Sequence, residues 1–158
     1  MTLFGLFGKK KALLDRDLGM LTWDGRAGWE GSYRFPPTGT AVAVWLRGPE
    51  AGPGPAEKAA LGELATRYPA LVSAVAAELL ELYRPVRADL DVDARAGGAP
   101  DPASGADMEA LTVLEGVDVD GPAELMLYYA FRPGAGWDDA MFSVRLRDWR
   151  PEGRSLDD

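Results

Sequence analysis

Trp29-Glu30-Gly31-Ser32-Tyr33-Arg34-Phe35 sets Trp29, Tyr33 and Phe35 on the odd positions and Glu30, Ser32 and Arg34 on the even ones. A strand turns successive side chains to opposite faces, so this alternation predicts a half-buried strand with an aromatic inner face. Pro36-Pro37-Thr38-Gly39 supplies a turn, and Thr40–Arg47 returns with Val42, Val44 and Leu46 on one face and Ala41, Ala43 and Trp45 on the other. A shorter strand over Leu18–Asp24 precedes the hairpin, joined to it by Asp24-Gly25-Arg26-Ala27-Gly28. The first half of the fold therefore reads as three strands.

The run Gly48-Pro49-Glu50-Ala51-Gly52-Pro53-Gly54-Pro55 interrupts regular structure, because its prolines lack a donor and its glycines lose backbone entropy in any ordered element. Beyond it, Leu61, Leu64, Ala65, Tyr68, Val72, Val75, Ala76, Leu79, Leu80 and Tyr83 recur at spacings of three and four, the signature of an amphipathic helix. Pro69 lies inside this pattern without shifting its phase, which predicts one kinked helix or two helices meeting near Tyr68, and Arg84-Pro85 is expected to end it. Residues 88–107 hold five aspartates, several glycines and prolines, and only Leu90 and Val92 as bulky apolar groups, the composition of a mobile loop. Strands are expected again at Met108–Val119, Glu124–Phe131 and Ala140–Trp149, the second apolar on both faces and so central.

These readings add up to an α+β fold, βββ-α-βββ: an antiparallel sheet of about six strands with the long kinked or split helix on one face. At 158 residues the chain suits one domain over residues 17–158, after a basic and apolar N-terminal segment over residues 1–16. Lys9, Lys10, Lys11 and Arg16 against Asp15 give that segment a charge of +3; the chain carries −8, which leaves −11 for the remainder. Such a body repels nucleic acid, whose binding requires a basic footprint. No apolar run approaches the ~20 residues of a membrane span, and Lys9–Lys11 follow the apolar start rather than precede it, the reverse of a secretory leader. A cytoplasmic location is the expectation.

Function is bounded mainly by composition. With neither histidine nor cysteine, the chain lacks the parts of a Ser-His-Asp or Cys-His site, a Cys/His zinc site or a disulfide. Asp89-Leu90-Asp91-Val92-Asp93 begins like a calcium loop, but Ala94 and Pro100 stand where glycine and a bidentate glutamate belong. Asp118-Val119-Asp120-Gly121 reads as a hairpin turn, and Gly8-Lys9 fails the phosphate-loop spacing with Leu3 and Lys10 at its ends. No metal site and no cofactor is expected.

Two elements of recognition remain. Trp45 is opposite the apolar face of its strand, and an outer sheet face carrying it together with Arg47, Arg145, Arg147 and Trp149 would suit protein recognition. Trp137-Asp138-Asp139 is the one acid pair beside an aromatic, but neighbouring residues on an extended chain point apart, which argues against paired acid–base work.

The segment Trp137–Leu146, with Trp149 and Asp157, resembles the ending of small bacterial α+β domains whose last strand follows a Trp-Asp-x-Glu-His-Gly motif. Trp29-Glu30-Gly31 and Leu82-Tyr83 resemble the early strand and the helix end of those domains. Ala140 and Met141 occupy the Glu-His positions, so no role of that pair passes to this chain. Some such domains accompany toxin genes as immunity proteins. The resemblance implies an immunity-type protein; joined to the acidic body and the missing catalytic parts, it leads to the expectation of a non-catalytic protein-binding domain that neutralises a basic partner by occlusion, with Trp45, Trp137, Asp138, Asp139, Arg145, Arg147 and Trp149 as contacts. A carboxylate hydrolase using Asp138 or Asp139 and a homodimeric structural subunit are the alternatives.

Overall fold

A computed structural model describes residues 11–90, 98–137 and 140–157. Among these, the elements in order are β1 (Ala12–Asp15), β2 (Gly19–Trp23), β3 (Gly28–Arg34), β4 (Ala41–Arg47), α1 (Pro55–Asp89), α2 (Gly105–Leu111), β5 (Thr112–Gly121), β6 (Glu124–Phe131), β7 (Met141–Arg147) and β8 (Arg150–Asp157). The eight strands form one sheet in sequence order. Every neighbouring pair is antiparallel except β4 and β5, which are parallel. The α+β class holds, whereas the sheet has eight strands rather than about six and is mixed rather than antiparallel. The parallel pair follows from topology: the helical crossover carries the chain back to the end of the sheet where β4 began, so β5 runs in the direction of β4.

Both additional strands are at the edges. β1 lies within the stretch expected as an N-terminal segment, and the Asp15 carboxylate fastens its turn by accepting from the backbone N–H of Asp17 and Leu18 at 3.0 and 3.1 Å. Its other oxygen meets Lys58 Nζ of α1 at 2.6 Å, and that bond holds the Asp15 carboxyl below the ordinary carboxylate range. β8 carries Arg150, Pro151, Glu152, Gly153 and Arg154, a polar stretch with no hydrophobic alternation, and its proline is tolerated on an edge.

The long helix is single and continuous. It runs through Pro69 and past Arg84-Pro85 to Asp89, so the expected stop at Pro85 is displaced by about a turn. Each proline removes one helical hydrogen bond, but burial of Leu79, Leu80 and Tyr83 and a 2.6 Å bond from Arg87 Nε to the Pro100 carbonyl hold the last turns. Within the expected mobile loop at 88–107, residues 91–97 lie outside the described residues. The described remainder is anchored by Pro100, whose carbonyl also accepts from the Tyr83 hydroxyl at 2.8 Å, and it leads into α2. That helix opens on a capping box in which the Ser104 and Asp107 side chains satisfy each other's backbone N–H. The expected strand from Met108 thus begins only at Thr112.

The core is a single cluster between α1, α2 and one sheet face. Trp29, Leu21, Val44 and Leu46 of the first four strands meet Val117, Leu127, Phe142 and Val144 of the last four through Leu61, Leu64, Leu79 and Tyr83. Because Leu79 is fully buried, Leu79→Ala is expected to lower stability by about 2–5 kcal/mol through a cavity. Glu78, on the flank, pairs with Arg154 of β8 at a half-exposed site, so Glu78→Ala is expected to cost no more than about 1 kcal/mol. Denaturant midpoints of the two variants check the helical phase.

Candidate functional site

The helices cover one face of the sheet, and among the described residues no element covers the other. Register places Glu30 opposite Trp45, Trp45 opposite Asp118, Asp118 opposite Met126 and Met126 opposite Arg145, so these side chains form one row across β3 to β7 on the uncovered face. A bulge at Glu115 in β5 makes this possible. Leu114 before it and Val117 after it are both buried in the core, and the extra residue turns Asp118 and Asp120 outward.

Over these strands lies an open groove of about 1150 Å³, with Ala43 and Gly116 on its floor, Trp45 and Tyr128 among its walls, and Glu30, Glu115, Asp118 and Asp120 around it. Trp45 is held flat by its neighbours. Its Nε1 donates to Asp24 Oδ2 at 3.0 Å, while Asp24 Oδ1 accepts from the backbone N–H of Arg26 and Ala27 at 2.7 and 3.0 Å. A Cβ at Gly28 would overlap the indole, so glycine at this position is what lets the ring lie over the backbone. Across the groove the Tyr128 hydroxyl donates to Asp118 Oδ2 at 2.8 Å. Asp120 pairs with Arg47 at 3.0 Å.

The two aspartates are tuned in opposite senses. The backbone N–H of Arg26, seconded by Trp45 and other turn donors, holds Asp24 down to about 2. Burial pushes Asp118 up, against the Tyr128 hydrogen bond and with the added repulsion of Asp120 and Glu30. Linkage fixes the signs. The stability that ionised Asp24 contributes is present above the unfolded carboxylate range near 3.8 and disappears as pH falls towards 2. Ionised Asp118 opposes folding at neutral pH, and that opposition is relieved as pH falls through its raised value. Asp24→Asn should therefore be less stable than the parent at pH 7, and the gap should close in acid. Asp118→Asn should equal or exceed the parent at pH 7, and its advantage should shrink in acid. Unfolding midpoints across that pH range test both, and parallel trends would contradict these environments.

The residues expected to form the site separate. Trp45 and Arg145 do share the uncovered face, and Arg145 is exposed there. Arg147 is on that face too, paired with Glu124 at 3.3 Å and Glu152 at 3.2 Å. Trp149 is not. Asp148 and Trp149 form the two-residue turn between β7 and β8, with φ of 49° and 63°. This turn sets the indole against the core side, 5.0 Å beneath the Arg67 guanidinium of α1. Trp137 likewise belongs to the core, with its ring 5.7 Å from Tyr83 and 6.4 Å from Phe131. Asp138 and Asp139 lie outside the described residues.

Several groove residues escaped the sequence reading. Asp118-Val119-Asp120-Gly121 is the end of β5 rather than a turn; the chain reverses at 122–123, between Gly121 and Glu124. The signal was present in Val117-Asp118-Val119-Asp120, whose alternation sends both acids to one face. Among the described residues no group of three or more His, Cys, Asp or Glu could hold a metal ion, and no helix is long and apolar enough to cross a membrane. Set against family models, curated proteins and solved structures, the chain has no match in any of the three.

Proposed function

We propose that this chain is a non-catalytic binding domain that receives a basic protein segment on its uncovered sheet face. The observation that carries the reading is the groove itself, in which Trp45 and Tyr128 stand among Glu30, Glu115, Asp118 and Asp120 on a sheet face that no element of the described chain covers. Aromatic side chains supply buried contact area, and carboxylates attract cationic side chains during approach. Leu14 and Met20, opposite one another on β1 and β2, extend the same face with apolar surface that is 74% and 59% exposed. The mechanism is occlusion, and neutralisation of a toxin by an immunity protein would be one instance of it.

The test uses the whole chain as bait in extracts of its native host, beside a Glu30→Lys, Asp120→Lys double variant. A basic partner should bind the parent and not the variant. Its association should slow as ionic strength rises towards ~0.15 M, where charges more than about 8 Å apart are screened. Trp45→Ala should mainly speed dissociation. Acidic partners only, or capture that ignores the charge reversal, would overturn the proposal.

A further inference from the structure

On the opposite side of the sheet a second cavity, a half-enclosed cleft of about 600 Å³, opens between α1, α2, the β3–β4 turn and the start of β5. Val72, Ala76 and Leu79 of α1 and Val113 and Leu114 of β5 give it apolar walls. Tyr68 and Tyr129 also line it, 7% and 3% exposed. Its size is that of a small-molecule site, and polar groups of Thr38, Thr40, Thr112, Glu109 and Arg132 stand among the apolar walls.

The tyrosine pair defines the polar requirement. The Tyr129 hydroxyl donates to the Tyr68 oxygen at 3.1 Å, so the single proton of Tyr129 is used. The Tyr68 proton remains, and among the described residues no acceptor stands against it. A hydroxyl held in an apolar wall with one proton unspent favours an occupant that offers an oxygen acceptor. Burial pushes both hydroxyls above the ordinary phenol range, so both remain protonated donors at neutral pH. Charge at the cleft is balanced: half-buried Glu109 opposes an anion and Arg132, whose Nε donates to the Ala110 carbonyl at 2.8 Å, opposes a cation. A neutral occupant avoids both penalties.

We infer that this cleft binds a compact, neutral, mainly apolar molecule through one carbonyl oxygen that accepts from the Tyr68 hydroxyl. The cleft and the groove lie on opposite faces, so the inference stands apart from the proposed protein-binding role.

The probes are acetophenone and α-methylstyrene, nearly isosteric molecules that differ in carbonyl against methylene. In amide-resolved NMR titrations of the full chain, acetophenone should saturably shift signals from residues 68–79 and 112–114. It should bind on the order of tenfold more tightly than the alkene. Tyr68→Phe keeps the ring, removes the proton, and should bring the two affinities together. Val72→Trp should block both probes by filling the cleft. Shifts confined to other regions, equal affinities in the parent, or a preference for the ketone that survives Tyr68→Phe would each overturn the assignment. Should Tyr68→Phe lose its native spectrum, the ketone-to-alkene ratio of the parent decides alone.

Discussion

Replacing Tyr83 by alanine should lower the unfolding free energy by about 3–5 kcal/mol, the largest effect expected of any single substitution described for this fold. Tyr83 is wholly buried near the end of α1, and its ring contacts Phe131, Trp137 and Phe142 at centroid distances of 5.1, 5.7 and 6.1 Å. Truncation would open a void among the three remaining aromatic rings, which cannot collapse together, since two are fixed on β6 and β7. The hydroxyl matters less. It donates to the Pro100 carbonyl, but that oxygen also accepts from Arg87, so Tyr83→Phe leaves the acceptor satisfied and should cost about 1 kcal/mol. Urea titrations with an unchanged slope measure both. Similar losses for the two variants would mean that the hydrogen bond, not the aromatic packing, fixes the end of the helix.

Adding one methyl group at Gly28 should destabilise the chain by about 1–3 kcal/mol, while the same change at Gly62 should stabilise it by about 0.5–1 kcal/mol. The difference in sign is geometric. A Cβ on Gly28 overlaps the Trp45 indole, which must then move and give up its bond to Asp24. A Cβ on Gly62, exposed on α1, meets nothing within 4 Å and only reduces the freedom of the unfolded chain. Gly28→Ala should also change tryptophan fluorescence and, under the proposed function, weaken the capture of a basic partner, because Trp45 is a wall of the groove. Destabilisation at both positions would contradict the arrangement of Trp45.

The interior was readable because burial imposes a period. Trp29, Val42, Val44, Leu46 and Leu79 follow from spacing alone as inward-facing, and they are buried. The edges resisted the same logic: a strand such as β8, with little to bury, is held by its hydrogen bonds to β7 and displays no apolar rhythm. Pairing of β4 with β5 was hidden for another reason, since no local pattern states which distant strand lies alongside. At the candidate site, alternation found Trp45 and Arg145 on the outer face. The bulge at Glu115 breaks alternation in mid-strand, which leaves the outward face of Asp118 legible only in the short run Val117–Asp120, and the left-handed turn at Asp148-Trp149 carries Trp149 to the other side.

The parallel seam between β4 and β5 has a kinetic consequence. Each set of four antiparallel strands closes through short turns, whereas β4 and β5 meet only after the chain has formed the long helical crossover, so their contact carries the larger loop-closure entropy. Pairing at the seam is thus expected to be the late event in folding, which a lower folding rate for Val44→Ala than for an equally destabilising change within one meander would check. Because Trp45 and Ala43 on one side of it face Asp118 and Gly116 on the other, the groove does not exist in any earlier species. A chain with both meanders formed but the seam still open would have most of its secondary structure and no groove, so under the proposed function binding competence would report the last step of folding.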